Sequence, residues 1–215
     1  HWLACNKDEV AQHKFHSWQG ALFMAGFFAY IWQTQWFGVA GLTGKKVIMA
    51  RVTLIRHGKA ETSKAGVQDF DRPLVARGQI NASVVGAFLA THRILPQLVL
   101  VSPSARTRET YEFIKPHWPD DIAVQFVDQL YEASASTLLQ AIIDYGGDLS
   151  DIAVIGHNPS LVVLLNHMVG DGHAEQNLGY FPTCCTADVG FVAPKVRDLV
   201  SDGGRLLSIV RARDL

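Results

Sequence analysis

Cysteine and charge are both scarce in this chain. Only Cys5, Cys184 and Cys185 occur among 215 residues, and two of them are adjacent. An odd count without ligand spacing excludes a disulfide framework and a zinc ribbon, and points to a reducing compartment. Charged residues make up 18% of the chain and the net charge is −1. No basic face is available for nucleic acid, and no excess of one sign for a strongly charged partner. Internal repeats and low-complexity tracts are also missing. What remains is an apolar fraction of 48%, enough for a full core in a chain of one-domain length.

The scarcity is uneven. Residues 1–48 contain only two acids, Asp8 and Glu9, yet four of the five tryptophans, and Ser17 to Gly44 carries no charge at all. Three readings of this N-terminal extension stand open. The chain begins with His1, and Met49 stands just before a strand pattern, so residues 1–48 read as upstream sequence from a misplaced start. A membrane anchor through residues 17–44 is the second; it needs about 20 apolar residues in a row and would have to carry Gln33 and Gln35. A docked amphipathic helix is the third. A secretory signal is a further option, with its basic start and short cleavage region poorly formed. The expected location is cytoplasmic, with membrane contact only under the anchor reading.

From Met49 onward the pattern is regular. Strands are expected over 46–56, 97–102, 122–127 and 151–156. Helices are expected over 77–92, with Ile80, Val84, Phe88 and Leu89 on the apolar face, and over 105–117, 134–146 and 159–170. Ser134 or Ser136 caps the third helix and Gly146-Gly147 stops it. Two late strands, 186–193 and 205–212, form a hairpin-like pair. Strands alternating with helices predict a three-layer α/β/α sandwich with a central, mostly parallel sheet. The organisation is an extension over 1–48 and a domain over 49–215.

Polar residues stand at three strand ends. Arg56-His57-Gly58 follows the first strand. "SPSAR" (102–106) puts Arg106 in the first turn of a helix. "GHNPS" (156–160) places His157 before a helix that Asn158 can cap and Pro159 can begin. In open α/β sheets the carboxyl edge is where ligands bind. Each feature alone has an ordinary structural explanation, whereas all three together would need three coincidences. Two arginines, two histidines and a helix N-terminus converging on one edge suit a doubly charged oxyanion.

The segments "LIRHGKAE" (54–61), "DRPLVARG" (71–78), "VSPSARTRET" (101–110), "LYEA" (130–133) and "VIGHNPSL" (154–161) resemble the histidine phosphatase superfamily. This is the phosphoglycerate-mutase-like group, and the likeness is nearest its short SixA-type branch of phosphohistidine phosphatases. It spans residues 50–212 in order and leaves 1–48 without a counterpart. The resemblance implies His57 as a nucleophile that becomes phosphorylated. It implies Arg56 and Arg106 as clamps on the phosphoryl oxygens, His157 as the second histidine, and Arg72 as an arginine near the mouth. Gly58 and Asn158 belong to the same substrate-binding turns. Glu132 stands where mutase-like members carry a proton donor, with Asp69 and Asp71 as rivals.

The expected reaction is metal-independent and needs no cofactor. A neutral imidazole attacks phosphorus, fixed donors meet the charge on the equatorial oxygens, and water then releases phosphate. The expected partners are a phosphorylated protein or a small phosphorylated substrate, with phosphate ion in the site. Phosphohistidine or another phosphorylated side chain is the expected substrate. The alternatives are a small-molecule phosphomonoesterase or mutase of the same superfamily, and a non-catalytic phosphate-binding module.

Overall fold

The computed structural model describes residues 50–170, 180–200 and 202–215. The readings of residues 1–48 lie outside the described residues. Among the described residues no helix is long and apolar enough to cross a membrane.

Six strands form one sheet: β1 (Ala50–Arg56), β2 (Leu98–Val101), β3 (Ala123–Phe126), β4 (Asp151–Gly156), β5 (Cys185–Phe191) and β6 (Gly204–Arg211). Four helices intervene: α1 (Ala76–Thr91), α2 (Ala105–Ile114), α3 (Ala135–Gly146) and α4 (Ser160–Val169). The strand order is β3-β2-β4-β1-β5-β6. β1, β2, β3 and β4 pair in parallel, while β5 lies antiparallel to β1 and β6 antiparallel to β5.

Alternation along the strands builds two cores. On one face Val52, Leu54, Leu100 and Val154 pack with Leu138 and Ile142 of α3 and Leu161 and Leu164 of α4. On the other, Ile55, Val99, Val101 and Ile155 pack with Val85 and Leu89 of α1 and Tyr111 and Ile114 of α2. Each fully buried aliphatic side chain contributes about 1.5–3 kcal/mol relative to exposure. The expected α/β/α sandwich with its mostly parallel sheet is thus the observed fold.

One local expectation changes. The buried face of α1 is Ala82, Val85, Gly86 and Leu89, whereas Ile80 is 63% exposed and Val84 37%. The reason is close packing on small residues: a Cβ on Gly86 would stand 2.9 Å from Ile114 Cα. The helix therefore turns its smallest stripe, and not its bulkiest, toward α2. The caps behave more simply. The Ser134 hydroxyl accepts from Thr137 N–H at 3.1 Å, and α3 ends at Gly146 with Gly147 in a positive-φ conformation (44°) that suits glycine.

One polar group lies inside the sheet. Asp188 on β5 is almost fully buried; it accepts from Thr53 Oγ1 at 3.2 Å and stands 3.6 Å from Arg51 Nε. Burial pushes its carboxyl up to about 6, against the pull of Arg51 and Thr53.

Candidate active site

Parallel pairing brings the carboxyl ends of the central strands together. β1 and β4 run in register to Arg56 opposite Gly156, and β2 meets β4 through Val101 opposite Ile155. The residue after each strand end is therefore His57, His157 or Ser102. The two imidazole rings lie 5.2 Å apart. Arg106 sits in the first turn of α2, buried.

The turn after β1 is pinned from several sides. His57 N–H donates to Gly156 O, and Cys184 N–H is shared between the Arg56 and His57 carbonyls, each at 3.1 Å. Gly58 N–H donates to Thr110 Oγ1 at 2.8 Å. A Cβ at position 58 would stand 2.9 Å from Gly78 O and 3.3 Å from Cys184 Sγ. Glycine is thus required there by close packing beneath the nucleophile candidate.

The tautomer of His57 follows from its partner. Nδ1 lies 2.7 Å from Gly58 O, and a carbonyl can only accept, so Nδ1 carries the proton. Nε2 is left with its lone pair. Burial lowers the pKa of His57 to about 3; the Gly58 hydrogen bond opposes this, and His157, Arg106 and Arg56 add to it. Burial likewise lowers His157 to about 4, aided by Arg106 and Arg56 and opposed by Asp69. Both imidazoles are therefore neutral at pH 7.

Second partners hold the remaining groups. His157 Nε2 and the Ser102 hydroxyl are 2.8 Å apart. Arg56 Nη1 and Asn158 Nδ2 both donate to Phe181 O, at 2.8 and 2.9 Å. Arg56 Nε, His157 Nδ1 and Asn158 Oδ1 are buried without a hydrogen-bond partner among the described residues. Buried polar groups are normally satisfied, so these three mark a place for a polar ligand. Burial lowers the pKa of Arg56, and a guanidinium is the side chain that keeps its charge in a protein.

The expected site residues divide. Arg56, His57, Arg106 and His157 meet at one edge, with Gly58 beneath and Asn158 beside them. Asn158 does not cap α4, contrary to expectation. The helix has no side-chain cap, and Asn158 turns to Phe181 instead. Arg72 has its Nε and Nη2 on Asp69 Oδ1, with Nη1 on Glu61 O at 2.6 Å, so it reaches the site through Asp69. Glu132 is exposed, in a left-handed backbone conformation (φ 53°), and its carboxylate makes no hydrogen bond or ion pair among the described residues. For Asp69, desolvation raises the pKa, but Arg72, Arg106 and Tyr131 outweigh it and hold the carboxyl below its usual range. An anion so paired is a poor proton donor at neutral pH.

Sequence patterns do not single out Ser102, Tyr131 or Phe181. Ser102 ends a buried strand and Tyr131 precedes Glu132 in "LYEA", so position offered a signal for both. Phe181 acts through its carbonyl, which no side-chain pattern reveals.

The family model of the histidine phosphatase superfamily (branch 1) matches residues 52–142, a range that includes Arg56, His57 and Arg106. The structure superposes on that of the candidate phosphohistidine phosphatase SixA from Agrobacterium tumefaciens with a TM-score of 0.66 and 28% identity, covering 75% of this chain and 97% of that one. Residues 52–142 thus match the histidine phosphatase superfamily, and the chain resembles its members in sequence and in fold. Its likeness is to SixA-type members. A protein histidine phosphatase SixA solved with tungstate shares the fold at a TM-score of 0.64 and 19% identity, over 76% of this chain and 98% of that one. An uncharacterized protein of Mycobacterium tuberculosis is 28% identical over 163 residues, which is 66% of this chain and the whole of that protein. Within the superfamily fold, the edge holding His57 and His157 is the candidate active site.

Proposed function

We propose that this protein is a phosphatase acting through a phosphohistidine on His57, and that its substrates are phosphorylated protein side chains, phosphohistidine first. The observation that carries the reading is the state of His57: neutral, with Nδ1–H held by Gly58 O and Nε2 left as a nucleophile, beside buried groups that lack partners among the described residues.

In the first step Nε2 attacks phosphorus, and the bond from phosphorus to the leaving nitrogen or oxygen breaks. The leaving group departs with the bonding electrons and takes up a proton. Arg56 and Arg106 meet the charge on the equatorial oxygens. In the second step water attacks the phosphohistidine. The P–N bond breaks, Nε2 regains its lone pair, and inorganic phosphate leaves. An entering dianion also favours protonation of His157, whose low pKa reflects burial and two cations.

Two observations support a protein side chain as substrate. The connection from Arg106 to Glu132 holds only α2, two 3-10 turns and the four-residue β3, so it supplies no large lid. An open mouth admits a protruding side chain and offers few contacts to a small metabolite. Glu132 also lacks the pairing that would poise a proton donor. Imidazole leaves from phosphorus with far less help than an alkoxide, which suits a site with a weak acid.

The test combines rapid quench with a substrate panel. Wild-type protein should acquire an acid-labile phosphate on His57 and turn over a phosphohistidine protein faster than phosphoserine peptides or sugar phosphates. His57→Ala should lose turnover by at least roughly a thousandfold, the range expected when a nucleophile is removed. Phosphate trapped on another residue would overturn the mechanism. A preference for a sugar phosphate would transfer the site to small-molecule hydrolysis.

A further inference from the structure

Arg106 does not stand alone at the pocket. Its Nη1 donates to the Asp69 carbonyl at 2.6 Å and its Nη2 to Asp69 Oδ2 at 2.9 Å. Asp69 is held in turn. Arg72 donates twice to Oδ1, and Tyr131 Oη donates to Oδ2 at 3.1 Å. The segment carrying Asp69 is tied to α2 a second time, where Leu74 N–H donates to Glu109 Oε2 at 2.8 Å. Tyr131 packs edge-on to His157, ring centroids 5.7 Å apart.

The edge of the guanidinium that Asp69 takes is the informative detail. A guanidinium offers two edges able to grip an oxyanion in bidentate fashion, Nη1/Nη2 and Nε/Nη2. Both Asp69 contacts fall on the Nη1/Nη2 edge. The Nε/Nη2 edge makes no hydrogen bond among the described residues beyond the Nη2 contact already given. A fork gripped at its end and open at its side is preorganised, so little rotamer freedom is left to lose when phosphate arrives.

We propose that Asp69 is the positioning residue of the phosphate clamp: it holds the end of the Arg106 fork, with Tyr131 and Arg72 fixing its own carboxylate, so that the Nε/Nη2 edge of Arg106 faces the phosphoryl group. The proposal rests on the phosphatase reading above for the identity of the anion, and it assigns Asp69 a role other than proton donor. The buried Arg106 also keeps a counter-charge when phosphate has left, because the carboxylate remains in place through turnover.

The experiment is a double-mutant cycle read by calorimetric binding of tungstate to the full-length protein, with aryl phosphate kinetics beside it. Asp69→Ala should weaken tungstate binding roughly tenfold, the scale of one lost charge-assisted hydrogen bond, and lower kcat/KM by a similar factor for aryl phosphates of every leaving-group pKa. On an Arg106→Ala background the same change should have no further effect. Tyr131→Phe, which keeps all charges, should weaken tungstate in the same direction by less, and it stands in if Asp69→Ala does not fold. Tighter tungstate binding in Asp69→Ala would overturn the proposal, since the carboxylate would then be a competitor of phosphate. Additive losses in the cycle would overturn it by separating Asp69 from Arg106. A loss confined to poor leaving groups would make Asp69 the acid. A wild-type protein that binds tungstate but hydrolyses nothing would refute the catalytic reading alone, and the cycle would still decide this one.

Discussion

A histidine set between two arginines must stay unprotonated to act as a nucleophile. His57 achieves this mainly by burial, with neighbouring cations adding to the effect, and His157 follows the same logic. In the ligand-free protein neither ring should therefore take up a proton until well below the ordinary histidine value of 6.5. Two-dimensional proton–nitrogen spectra of the imidazoles should show both neutral down to about pH 5, with His57 as the Nδ1–H tautomer. A ring titrating near neutrality would contradict the burial account. Binding of tungstate should raise the His157 pKa, because an anion then faces it. At this scale the sequence was partly legible. Arg56, His57, Arg106 and His157 could be named from strand-end position. Neither the tautomer nor the Asp69 contact could be, because both depend on partners distant in the chain or on backbone carbonyls.

Close contact between elements shapes the site as much as the side chains do. A Cβ at Gly78, in the first turn of α1, would stand 2.3 Å from Lys59 O and 2.9 Å from Lys59 N. Backbone cannot yield cheaply, and Lys59 follows directly on His57-Gly58. Gly78→Ala should destabilise the fold by about 1–3 kcal/mol and lower kcat by displacing the nucleophile turn. Gly146→Ala is the comparison. Its Cβ would meet Val196 Cγ1 at 2.3 Å, at the end of α3, away from His57. It should destabilise comparably while kcat in the folded protein is retained. Thermal melts and kinetics on the two variants separate these effects; equal loss of kcat in both would remove the link between α1 packing and the nucleophile. Hydrophobic spacing misplaces the face of α1 because the helix packs through Gly78, Ala82 and Gly86. Small residues carry little weight in an apolar pattern, yet they permit the closest approach.

At the scale of the whole molecule, the buried titratable groups set a dependence of stability on pH. The unfolded chain protonates histidine near 6.5, while folded His57 and His157 wait until about 3 and about 4. Their contribution to stability is full above the unfolded value and declines as pH falls below it. Asp188 acts in the opposite sense: its folded carboxyl takes a proton near 6 and the unfolded one near 3.8, so it favours folding as pH falls through that window. Between about pH 6 and about pH 4 two protons favour the unfolded state and one the folded state. The net of one proton predicts a loss of about 1.4 kcal/mol per pH unit. Urea titrations across that range should show this slope, and His57→Asn should flatten it. A pH-independent midpoint would mean that the histidines are not buried as described. Among the described residues, the buried members of both hydrophobic cores fall within residues 50–206. A fragment from Met49 to Leu215 should accordingly unfold cooperatively and match the full chain in aryl phosphatase activity. Aggregation of the fragment, or activity lost from a folded fragment, would make residues 1–48 part of the working unit.

The sequence by itself determined the alternation of strands and helices, the carboxyl-edge placement of Arg56, His57, Arg106 and His157, and the family likeness, because each is written in local order. Periodicity and turn chemistry act over a few residues, and those are visible in the chain. Tertiary structure alone decided what each side chain faces. It put Phe181 O on Arg56 and Asn158, across gaps of 125 and 23 residues, and Asp69 on Arg106 across 37. It also turned Asn158 away from its helix and brought Arg72 to the site through Asp69. Those pairings arise when the sheet stacks β4 beside β1 and α2 beneath the 69–72 turn. No local pattern encodes them, since a hydrogen bond is chosen by which groups burial leaves within reach.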